Sequence, residues 1–134
     1  MNDINVKKIN IDNKKLITIA ALLVNAAKID EQYTNKEKEI ILSFINIFHG
    51  ENKEEILKKA EELENNSNQL LSFTNAIKKE SIEFKTLIIK ELWKIILSDD
   101  KNDLYESNLI RKICGLIYFP DKLSGEIKLQ LTDK

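Results

Sequence analysis

AAKIDEQYTNKEKEII, residues 26–41, can be laid over IILSDDKNDLYESNLI, residues 95–110, at one constant offset. Asp30 falls on Asp99, Thr34 on Asp103 and Glu37 on Glu106, each pair 69 residues apart. The apolar positions keep that offset, Ala20 with Ile89, Leu23 with Leu92, Ala27 with Ile96, Ile40 with Leu109, Ile41 with Ile110 and Phe44 with Ile113. Their three- and four-residue spacing marks a single helix face and not an alternating strand. Each half therefore reads as an apolar helix, an acidic turn and an amphipathic helix.

Outward from the two turns, the same periodicity predicts helices over about 12–29, 35–48, 51–63, 69–79, 81–97 and 104–118, with a short terminal helix in DKLSGEIKLQL. The first is apolar around most of its girth, through Leu16, Ile17, Ile19, Ala20, Leu22, Leu23, Val24 and Ala27, so it belongs in the middle of the protein. His49-Gly50 reads as a left-handed helix cap, ENNSN (64–68) as a loop, and Leu123, Ile127 and Leu131 as the docking face of the terminal helix. With three Gly and one Pro in 134 residues, strands have little support. The expectation is an all-α fold, a compact bundle of about seven helices in one domain spanning 1–134, with about 1–11 as a variable N-terminal segment.

Composition excludes some roles. Hydrophobic residues at 43% and charged residues at 32% describe an ordinary folded chain. With 21 basic and 22 acidic residues the net charge is −1, which argues against a dedicated nucleic-acid binder. The single cysteine, Cys114, has no disulfide partner and fits a reducing compartment. KKLITIAALLVNAAK (14–28) imitates a secretory signal, but its counterpart in mid-chain has no such explanation, and its apolar run is shorter than the roughly 20 residues a membrane span needs. No Ser-His-Asp order, glycine-rich phosphate loop or HExxH is present, so the chain reads as a non-enzyme without catalytic residues.

The acidic turns admit two readings. Thr34-x-x-Glu37 and Asp103-x-x-Glu106 match a capping box, in which side chain and backbone satisfy one another at a helix start. Asp30, Asp99 and Asp100 instead sit where the preceding helix ends, and there the dipole disfavours a carboxylate. Lys28, Lys101 or water could compensate them. So could a hard divalent cation, Ca2+ or Mg2+, bound by Asp30, Glu37, Asp99, Asp103 and Glu106 beside free carbonyls. An EF-hand is excluded, since Leu104 and Ile110 stand where that loop needs Gly and Glu. His49 and Cys114 read as structural, Trp93 as core, and Tyr105 as a modest candidate for a partner contact.

LLVNAAKIDEQYTNKEKEII and ELWKIILSDDKNDLYESNLIRKICGLIYFP, joined by QLLSFTNAIKK, resemble the two copies of the TerB family pattern, an Ala-rich helix followed by Asp-Gly-Glu-x-Asp-x-x-Glu and a second helix. The likeness spans about residues 16–131. Glu31 and Asp100 replace the turn glycine and Thr34 stands where an Asp is usual, so the second turn keeps more of the family's acidic residues. The resemblance implies an all-helical cytoplasmic protein of bacterial type, divalent-cation binding and a link to tellurite or other chemical stress. The alternative it leaves open is a helical interaction module, comparable to TerB-like domains attached to other proteins such as a J-domain co-chaperone, with a protein partner and purely structural turns.

Overall fold

The computed structural model describes residues 11–29, 32–48, 52–67, 69–98 and 104–132, the side chains of 104–107 excepted. Seven helices lie within them: α1 (Asn13–Ala27), α2 (Asn35–Phe48), α3 (Lys53–Ser67), α4 (Leu70–Thr74), α5 (Ile82–Leu97), α6 (Leu104–Ile117) and α7 (Asp121–Thr132). No strand occurs among the described residues. The all-α bundle expected from the periodicity is the fold.

Helix starts follow local chemistry. Asp12 Oδ1 accepts from Lys15 N at 2.7 Å to open α1, and Ser81 Oγ accepts from Phe84 N at 3.1 Å to open α5. These caps are themselves 69 residues apart. At α2 the capping box is present: Glu37 N donates to Thr34 Oγ1 at 3.2 Å, while Thr34 N donates to Glu37 Oε1 at 2.8 Å. Its partner box at Asp103 and Glu106 lies outside the described side chains, as does the expected cap at His49-Gly50.

The core is built on α1 and α5. Leu16, Ile19, Leu22, Leu23 and Val24 of α1 and Ile88, Ile89, Leu92 and Ile96 of α5 are fully buried. Helix α1 packs against α2, α3, α4 and α5, and α5 against α1, α2, α6 and α7. Phe44, Phe48 and Phe84 make an edge-to-face chain, with centroids 5.4 and 6.0 Å apart, that ties α2 to α5. The repeat extends further than the two turns indicate. Helix α3 closes over α1 as α7 closes over α5, giving two three-helix units with α4 between them.

Three expectations are corrected. The predicted loop at 64–68 is helical through Ser67, because Glu64 is buried against α1. The helix predicted over 69–79 is regular only through Leu70–Thr74 and gives way to turns. Helix α7 docks through Ser124, Ile127 and Leu131, whereas Leu123 is exposed.

Helix α6 ends in a Schellman motif, with Phe119 N donating to Cys114 O at 2.8 Å and Tyr118 at the left-handed position, φ 60°. Glycine is the unstrained residue there, and a side chain in that conformation costs about 1–2 kcal/mol.

Candidate functional site

Seven side chains converge beside the first acidic turn. The last turn of α1 presents Asn25 and Lys28, and the last turns of α3 present Glu61 and Glu64. Lys28 Nζ donates to Glu64 Oε1 at 2.9 Å and Asn25 Nδ2 to Glu64 Oε2 at 3.2 Å, so one nearly buried carboxylate clasps the two helices. Tyr33, on the turn, donates its hydroxyl to Glu61 Oε2 at 2.7 Å. Its ring lies beneath two ammonium groups, Lys38 Nζ at 4.9 Å and Lys28 Nζ at 5.9 Å from the centroid. Glu37, buried in its capping box, completes the group.

At the Tyr33 hydroxyl the neighbouring carboxylates dominate. Burial, then the hydrogen bond to Glu61, then the charges of Glu61, Glu37 and Glu64 all push the Tyr33 phenol above its ordinary range. It remains a protonated donor at any physiological pH. Two open clefts flank the clasp: one of about 380 Å³ lined by Asn25, Lys28, Ile29, Glu64 and Asn65, the other of about 410 Å³ lined by Tyr33, Lys38, Lys58, Glu61 and Glu62 together with Lys28 and Asn65.

Of the sequence-predicted ligands, Glu37 alone has a described side chain, and it serves the α2 cap. Asp30, Asp99 and Asp103 lie outside the described residues, as does the side chain of Glu106. Among the described residues, no group of three or more His, Cys, Asp or Glu is arranged to hold a metal. Carboxylate and amide oxygens are donors that suit a hard cation.

Sequence reading missed Asn25, Tyr33, Glu61 and Glu64. A usable signal existed for two of them. Asn25 interrupts an otherwise apolar helix, and Glu64 continues the Leu57, Ala60 face of α3 at helical spacing.

The second unit is closed differently. Trp93 Nε1 donates to Ser124 Oγ at 3.0 Å within the core, and Lys128 Nζ sits 5.0 Å from the Trp93 ring. Cys114 is fully buried beside Ser124; burial pushes its thiol up to about 11 despite that hydroxyl.

The model of the family described as tellurite resistance protein TerB matches residues 16–129, nearly the whole chain. The chain belongs to the TerB family. No curated protein and no solved structure shows significant similarity to it. In this TerB-family chain the matched residues run from the core face of α1 to the last turns of α7, so both three-helix units fall within the family's domain. No helix among the described residues is long and apolar enough to cross a membrane.

Proposed function

We propose that this TerB-family domain binds a hard divalent cation, Ca2+ or Mg2+, at its two acidic turns, and that it does so in a cytoplasmic response to tellurite or related chemical stress. Asp30 and Glu37 would supply oxygen ligands at the first turn, and Asp99, Asp103 and Glu106 at the second. It is a binding role and not a catalytic one.

The observation that carries this reading is the allocation of charge around Tyr33. Glu37, Glu61 and Glu64 act together on its hydroxyl, a concentration of carboxylates beside the first turn, and Lys28 donates to Glu64 on α3. The family link supports the stress setting.

Thermal unfolding titrated with Ca2+ and with Mg2+ tests the proposal. A cation at about 100 times its dissociation constant stabilises a fold by roughly 2.7 kcal/mol. Asp99→Ala with Asp103→Ala should abolish most of that gain. Glu37→Gln separates ligand from cap, because glutamine can still accept the Thr34 amide proton while losing its charge. It should leave the metal-free melting temperature nearly unchanged and weaken the cation response. Absence of a shift with either ion would refute the proposal.

A further inference from the structure

Tyr118 is an exposed aromatic in a backbone conformation that suits glycine. At φ 60° it occupies the left-handed position that closes α6, and 69% of its surface is open to solvent. Burial does not offset the strain. The ring is held by Lys78, whose Nζ lies 5.0 Å from the centroid, reaching across from the turn that follows α4. An aromatic side chain with two rotatable angles, pinned by a cation and presented outward, has the properties of a binding anchor.

The surrounding charge identifies what it would anchor. Lys79 beside Lys78 and Lys122 in the first turn of α7 are exposed. Asp121, three residues further along the chain, lines a cleft with Arg111 and Lys128. Glu80 is tied to Lys15 on α1. In the segments that flank the ring, Lys78, Lys79 and Lys122 therefore stand against Asp121, with Glu80 occupied by Lys15.

We infer that Tyr118 and Lys78 form the centre of a docking surface for an acidic peptide segment of a partner protein. The partner's apolar side chain packs on the Tyr118 ring while its carboxylates meet Lys78, Lys79 and Lys122. This surface is distinct from the acidic turns, so its fate does not depend on cation binding.

Fluorescence anisotropy with a labelled peptide of alternating Glu and Leu, and its Lys and Leu counterpart as control, tests the inference. The full chain should bind the acidic peptide saturably and the basic one not. Tyr118→Gly and Lys78→Glu should each weaken binding by roughly tenfold or more. Tyr118→Gly relieves backbone strain, so its melting temperature should not fall and a loss of binding cannot be charged to unfolding. The inference is overturned if the wild-type chain fails to bind the acidic peptide, if both variants bind within about twofold of it, or if the basic peptide binds equally well. It is also overturned if sedimentation shows a wild-type dimer that Tyr118→Gly dissociates, since the occupant would then be a second copy of the chain.

Discussion

Lys28→Met should destabilise the fold more than Glu64→Gln, and the two effects should not add. The Glu64 side chain is only 7% exposed and accepts from Lys28 at 2.9 Å and from Asn25 at 3.2 Å. A hydrogen bond to a charged group contributes about 1.5–3 kcal/mol, and removing one partner of a buried pair leaves the other ionised without compensation. The Lys28 side chain is 36% exposed, so solvent screening discounts that range to about 1–2 kcal/mol for Lys28→Met. Glu64→Gln keeps an amide oxygen for Lys28 and removes the charge that needed it, which lowers its cost to about 1 kcal/mol or less. Urea unfolding of the two single variants and the double variant should give a coupling of about 1 kcal/mol. Hydrogen exchange supplies an independent readout. Because 64–68 reads as a loop in sequence, the clasp is what keeps Asn65, Asn66 and Ser67 helical, and Lys28→Met should speed exchange there while leaving the start of α3 protected. Equal single effects that add within about 0.3 kcal/mol, with exchange unchanged at Asn65–Ser67, would refute this account.

The second unit gives sharp expectations of its own. Ser124→Ala strips the Trp93 indole of its acceptor at 3.0 Å, and a buried unsatisfied N–H costs about 1–3 kcal/mol; the urea midpoint should fall and the emission of the sole tryptophan should shift. Glu91 is buried and its carboxyl is pushed above the ordinary 4.5 chiefly by burial, with Lys94 at 3.1 Å and Lys90 pulling it back. The folded state therefore holds that proton more tightly than the unfolded chain. Its stabilising contribution is full below pH 4.5 and is lost as pH rises through the raised folded value. Glu91→Gln should match the wild type in acid and exceed it at neutral pH, read as the difference between their unfolding free energies across pH. Cys114, fully buried and with its thiol raised to about 11, should react with a disulfide reagent at pH 8 far more slowly than the unfolded chain, at a rate set by opening of the core.

The fold was legible because its determinants are local or repetitive. The 69-residue offset places α1 on α5 and α2 on α6, and Thr34 with Glu37 is a cap that spacing alone identifies. The clasp was hidden for the opposite reason. Asn25 and Lys28 meet Glu64 across 39 and 36 residues of chain, and although Glu64 continues the Leu57, Ala60 face of α3, nothing local names the partners it meets there. The same blindness produced the false loop at 64–68. Asn65 and Asn66 are weak helix formers, and a tertiary ion pair outweighs a propensity deficit of under about 1 kcal/mol per residue. At the N-terminus of α7 hydropathy points Leu123 inward, whereas Ser124 takes that place and satisfies Trp93.

The two halves, alike in helix order, differ in the charge that precedes each turn, and the difference ranks the two turns under the proposed cation binding. Lys28 stands two residues before Asp30, whereas the corresponding position before Asp99 is Leu97. The ammonium of Lys28 donates to Glu64 and also lies 5.9 Å from the Tyr33 ring, so on the proposed reading its charge would oppose a cation entering the first turn. At the second turn no lysine stands at that position. Asp99→Ala with Asp103→Ala should therefore remove more of any cation-dependent rise in melting temperature than Asp30→Ala does. Lys28→Met, though destabilising without cation, should strengthen the response that remains in the Asp99→Ala, Asp103→Ala background. If Lys28→Met weakens that response, Lys28 supports the first turn and does not compete with its ligand, and the order of the two sites is reversed.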